Sequence, residues 1–234
     1  MRKKSIAKVV TPALFVSVGI ASALYSTSAV VEHQVAERRA AELERMEKFS
    51  ISQYDALFKE MGEKYNLDWR LLAAIARAES VFRFDAISPA GAIGLMQVMP
   101  FVAHNMGYDR NDLFDPRTNV EIAALLLLEN KSMLNLSQEV NEEEQLRFLL
   151  ACYNAGYMRI ADARRLAKHY DADANKWQSV RLFLSWLNDP EFANHEVVQS
   201  GRFSGSKETL EYVDKVMHLY NLYKAQNETI ANIE

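Results

Sequence analysis

The chain has 234 residues, 49% of them hydrophobic and 10% aromatic, enough for one sizeable core. Its formal net charge is −4, and the first 29 residues hold four basic groups and no acid, so the rest is more acidic still and nucleic acid is excluded as the expected partner. Eight Gly and five Pro are few for an all-β chain of this length, while Ala, Leu, Glu, Lys, Arg and Met are plentiful, so the composition leans to helix.

The chain opens with Arg2, Lys3, Lys4 and Lys8, and no residue from Val9 to Val31 is charged. A basic start followed by an apolar run is the pattern of an export signal, and Thr27-Ser28-Ala29 offers small residues for cleavage. The run is also nearly long enough to span a bilayer, so residues 1–29 read either as a cleaved signal or as a membrane anchor. Residues 30–51 are rich in Glu, Arg and Ala and read as a charged helical linker.

A domain is expected over residues 52–234. Tyr54, Leu57, Phe58, Met61 and Tyr65 recur at helical spacing. Asp68 is a candidate N-cap for the helix WRLLAAIARAES, which is apolar nearly all round from Leu71 to Ala76 and therefore central. Residues 81–93, with Pro89 and Gly91, read as a loop, and a helix is predicted from about Gly94 to Asn105. Further helices are predicted over Pro116 to Leu134, Glu142 to Ala155, Met158 to His169, Trp177 to Leu187 and Glu208 to Ala225, with a loop over 188–207. No strand run stands out. Cys152 is the only cysteine, so no internal disulfide forms; set between Ala151 and Tyr153 in an apolar run, it reads as a buried structural thiol.

Glu79 is the candidate for chemistry. It lies in the last turn of the apolar helix, before Val81-Phe82. The negative end of the helix dipole and apolar neighbours both favour the protonated acid. A glycosidase needs such a group to protonate a leaving oxygen. On spacing alone, a Glu at a helix end is more often an ordinary surface residue. Asp85, the nearest acid downstream, reads as a solvated loop residue rather than a second catalytic carboxylate. The five His are scattered without ligand spacing, and there is no phosphate loop or dinucleotide fingerprint, so no metal and no cofactor are expected.

Four segments occur in order: Glu79-Ser80; Ser88-Pro89-Ala90-Gly91-Ala92-Ile93-Gly94-Leu95-Met96-Gln97-Val98-Met99-Pro100; Ala151-Cys152-Tyr153-Asn154-Ala155-Gly156; and Glu208-Thr209-Leu210-Glu211-Tyr212-Val213. Together they resemble the soluble lytic transglycosylase (SLT) catalytic domain, over roughly two thirds of the chain. Asp162-Ala163-Arg164, Trp177, Val180, Gly201 and Gly205 are similar to the membrane-bound lytic transglycosylase F type. That type usually carries a solute-binding-like domain ahead of the catalytic one, and residues 30–51 are too short for it.

The resemblance implies an all-α, lysozyme-like (goose-type/SLT) helical domain that cleaves peptidoglycan glycan strands with one Glu as acid and base. Glu79 would be catalytic. Ser80 would hold local geometry beside the substrate, Ser88 and Gln97 would hydrogen-bond the sugar, and Met99 would pack on a sugar face. Tyr153, Asn154 and Tyr212 would line the cleft. Leu95 and Met96 read as core despite lying in the motif. A lysozyme-like muramidase and a non-catalytic peptidoglycan-binding scaffold are the alternatives. The implied location is the periplasm or cell envelope, with the membrane as a further partner if residues 1–29 are retained.

Overall fold

The computed structural model describes residues 30–39 and 50–231; residues 1–29, expected as signal or anchor, and residues 40–49 and 232–234 lie outside them. The chain divides into two compact units at Ser50 and Ile51. In the first, residues 30–39 are helical and exposed. In the second, the described residues form helices and turns, with isolated antiparallel bridges at Ile87–Ile93 and Ile93–Val98 in place of strands.

Helix α1, Asp55–Tyr65, turns Phe58 and Met61 inward and ends where Asn66 takes a left-handed φ of 52°. Helix α2, Trp69–Ser80, begins with the Asp68 side chain accepting from the Arg70 N–H at 2.9 Å, as its sequence predicts. Every residue from Leu71 to Ala76 is buried, which makes α2 the central helix. At about 1.5–3 kcal/mol for each large apolar side chain removed from water, Leu71, Leu72 and Ile75 anchor it firmly.

The predicted helix from Gly94 is shorter than expected: α3 spans only Pro100–Asn105. Gly94 (φ 84°) and Gln97 (φ 49°) are left-handed, and Ile93 and Val98 exchange backbone hydrogen bonds, so residues 93–98 form a tight loop rather than a helical turn. After a 3-10 turn over Arg110–Phe114 comes α4, Pro116–Leu134, capped by Asp115 and started by Pro116. Helix α5 is Glu142–Ala155, with Asn141 as its cap, and α6 is Tyr157–His169. Helix α7 is Trp177–Trp186. The expected loop over 188–207 contains a short α8, Pro190–Ala193, capped by Asp189. Helix α9, Ser206–Ala231, starts two residues earlier than predicted and runs on past Ala225.

Helix α9 packs along α2 and α5, so the residues it carries are held against the last turn of the central helix. Leu95 and Met96 are fully buried core, as is Phe148. Cys152 is buried, and burial pushes its thiol up to about 12, which fits an inert structural residue.

Candidate active site

The chain leaves α2 through a strained corner. Val81 (φ 54°) and Phe82 (φ 62°) both sit in the left-handed region, which costs a β-branched or bulky residue on the order of 1–3 kcal/mol. Ser80 pins the corner: its hydroxyl donates to the Leu95 carbonyl at 2.8 Å and accepts from the Arg83 N–H at 3.1 Å. The helix end and the 93–98 loop are therefore tied directly behind Glu79.

That loop has its own post. Asn119, fully buried on α4, accepts from the Met96 N–H at 2.8 Å and donates to the carbonyls of Ile93 and Leu113, each at 2.9 Å. Gly94 lies against it so closely that an added Cβ would stand 2.3 Å from the Asn119 amide nitrogen. Glycine is required at 94 by this contact as well as by φ. From the other side, the Tyr153 hydroxyl donates to the Met96 carbonyl at 2.7 Å.

Glu79 is partly buried. Loss of water around it pushes its carboxyl up from the usual carboxylate range to about 7. The interaction with the Tyr212 hydroxyl and the positive charge of Lys215 pull it back down, and the negative charge of Glu208 pushes it up. Tyr212 is 9% exposed and its hydroxyl makes no hydrogen bond of ordinary geometry, yet it is close enough to the Glu79 carboxyl for the two to perturb each other. Burial, reinforced by the Glu79 charge, keeps the phenols of Tyr153 and Tyr212 well above their usual range. Both stay neutral, so each hydroxyl donates or accepts a hydrogen bond without ionising. Among the described residues, no group of three or more His, Cys, Asp or Glu is placed to hold a metal ion.

The structure thus gathers Glu79, Ser80, Tyr153, Tyr212 and the loop bearing Gln97. The Asn154 Oδ1 accepts from the Thr209 hydroxyl at 2.8 Å and links α5 to α9. Ser80, expected to hold the geometry beside the substrate, is 5% exposed and has its hydroxyl committed to the protein backbone. The Gln97 amide nitrogen is also committed, to the carbonyls of Ala86 (3.2 Å) and Gly94 (2.9 Å). Ser88 accepts from the Ala92 N–H at 3.0 Å within its own turn, and Met99 precedes α3 half-buried. Asn119 and Lys215 escape a sequence reading, whereas Thr209 lies in the fourth motif. For the first two the available signal was polarity in a helical stretch, which does not distinguish a buried hub from a solvated residue.

The sequence pattern of the transglycosylase SLT domain matches residues 56–176, half of the chain. The chain belongs to that family. Membrane-bound lytic murein transglycosylase F of Marinobacter nauticus is 32% identical over 176 residues, 74% of this chain and 33% of that protein. Its namesake from Serratia proteamaculans is 33% identical over 161 residues, 68% of this chain and 32% of that protein. This SLT-family chain therefore spans about a third of the length of the curated relatives it matches. Two solved structures share its fold. An inactive mutant of lytic transglycosylase Slt from Pseudomonas aeruginosa superposes with a TM-score of 0.53 at 22% identity, over 75% of this chain and 24% of that one. The 70 kDa soluble lytic transglycosylase of Escherichia coli gives 0.52 at 24% identity, over 77% and 25%. The lysozyme-like helical fold expected from the sequence is the one observed.

Proposed function

We propose that this SLT domain is a peptidoglycan lytic transglycosylase with Glu79 as its only acid/base. The observation that carries the reading is a carboxyl raised to about 7 by burial, set among Tyr153, Tyr212 and the Gln97 loop. At neutral pH a large share of such a group holds its proton, ready for a leaving oxygen.

Glu79 donates that proton to the oxygen between N-acetylmuramic acid and N-acetylglucosamine, and the bond from C1 to that oxygen breaks. The carbonyl of the sugar's own N-acetyl group shares the positive charge at C1. The ionised Glu79 then takes the proton of the 6-hydroxyl as O6 bonds to C1. A 1,6-anhydro ring closes, Glu79 is protonated again, and no water is consumed. Attack from within the same sugar gains from proximity. Asp85, the acid next downstream, is exposed on the loop, so a retaining or inverting pair with Glu79 has no support there.

The Tyr212 hydroxyl, lacking a protein partner of ordinary geometry, is free to follow the proton between Glu79 and the sugar. With its amide nitrogen occupied, Gln97 presents its amide oxygen to a sugar N–H or O–H donor. The Ser88 hydroxyl, which accepts from Ala92, keeps its proton for a sugar oxygen. Met99, Tyr153 and Asn154 complete the walls. Residues 1–29 act as signal or anchor for the cell envelope, and residues 30–51 are the charged linker to the domain of 52–234. Among the described residues no helix is long and apolar enough to cross a membrane.

The test is product analysis of digested peptidoglycan with wild type and Glu79→Gln. Wild type is expected to release anhydro-muropeptides, and Glu79→Gln to lose about 10²–10⁴-fold in rate while staying folded. Products heavier by one water would make the enzyme a muramidase. Full activity in Glu79→Gln would remove Glu79 from the chemistry.

A further inference from the structure

The last turn of α2 leaves a carbonyl that its own helix cannot satisfy. The N–H that would reach Ala78 belongs to Phe82, but the strained corner sends both Val81 and Phe82 N–H groups to Ala76. The Ala78 carbonyl instead accepts from the Lys215 ammonium at 2.8 Å, across from α9. Lys215 is three residues beyond Tyr212 and seven beyond Glu208, so all three share one face of α9, turned toward the end of α2. The groups around the Glu79 carboxyl are thus Glu208, Tyr212 and Lys215 from α9 and Tyr153 from α5.

We propose that Lys215 is a positioning residue for this chemistry: bonded to the Ala78 carbonyl, its ammonium caps the end of α2 and favours the ionised Glu79 that proton donation creates. The inference rests on Glu79 being the acid. The helix end and the neighbouring Glu208 both oppose a negative charge at residue 79. Without a cation there, the carboxyl would hold its proton too tightly to give it up. Lys215 supplies that cation from outside the cleft, anchored to backbone one residue before Glu79, and touches neither sugar nor proton. Its pull on the Glu79 carboxyl is downward, against burial.

The test is the pH dependence of anhydro-muropeptide release, at substrate below saturation, for wild type, Lys215→Met, Lys215→Gln and Lys215→Arg. Removing the cation should move the alkaline limb to higher pH in both neutral variants. Relative to its own plateau, each should retain about 3- to 10-fold more activity than wild type one unit above the wild-type limb. The plateau itself should fall, since a tighter acid donates more slowly. Lys215→Arg should restore both limb and plateau. Lys215→Gln keeps a donor for the Ala78 carbonyl, so it separates the charge from the cap should Lys215→Met fail to fold. A limb unmoved in folded Lys215→Gln, with Glu79→Gln inactive, overturns the role of Lys215 alone. An active Glu79→Gln overturns the reading on which it rests.

Discussion

Asp68 and Glu79 stand at opposite ends of α2, and α9 runs past both, with the Tyr220 hydroxyl donating to Asp68 at 2.9 Å and Tyr212 beside Glu79. Burial pushes both carboxyls up. At Asp68 it is outweighed by the side chain and backbone N–H of Arg70 and by Tyr220, which hold the acid below the ordinary range. At Glu79 one tyrosine and one lysine are not enough, and the carboxyl rises to about 7. Glu79 is the more deeply buried of the two and has fewer donors, so depth and the supply of donors together decide whether a carboxylate on this helix is a structural anion or a proton source. Helix polarity acts in the same sense, favouring a negative charge at the start of α2 and opposing it at the end.

If the Glu79 end is shaped by the loop behind it, Asn119 is where the contrast breaks most severely. Asn119→Leu strands the Met96 N–H and takes a donor from the Leu113 carbonyl, while the Ile93 carbonyl keeps only the Val98 N–H. It should cost about 2–4 kcal/mol in denaturant unfolding and expose the amides of residues 93–98 to exchange, leaving the Asp68 end protected.

A smaller effect separates the two carboxyls by sign. The Glu79 carboxyl is higher folded than unfolded, so the stability it allows is whole below about pH 4.5 and is lost as pH rises through about 7. Glu79→Gln should therefore gain on wild type across that window, by about 1–3 kcal/mol. Asp68 is lower folded than unfolded, so its contribution is present above pH 3.8 and is lost as pH falls through its folded value. Asp68→Asn should cost about 1 kcal/mol at neutral pH, and the cost should fade in acid. Unfolding midpoints measured from pH 3 to 8 check both; parallel curves for the two variants would erase the contrast.

Much of this geometry was legible in the sequence because it is local. Asp68 and Pro116 mark helix starts through their own backbone chemistry, and the apolar run from Leu71 to Ala76 announces a central helix. The motif resemblance points to Glu79, Tyr153 and Tyr212. What escaped was set by distant partners. The segment from Gly94 carries helix-compatible residues, yet Asn119, on another helix, captures its backbone and delays α3 to Pro100. The backbone partner of Ser80 was equally hidden, because only the fold brings the Leu95 carbonyl to its hydroxyl. Nothing local marks Lys215, whose partner, the Ala78 carbonyl, is left over by the strained corner at the end of another helix.

The most direct measurement is a carbon-13 carboxyl titration of the folded protein, with the Glu79 resonance assigned by its loss in Glu79→Gln. A midpoint near about 7 for Glu79, with Asp68 titrating below 3.8, is the expected result. A Glu79 midpoint near 4.5 would mean the group is already ionised at neutral pH and is no reservoir for the proton that bond cleavage requires.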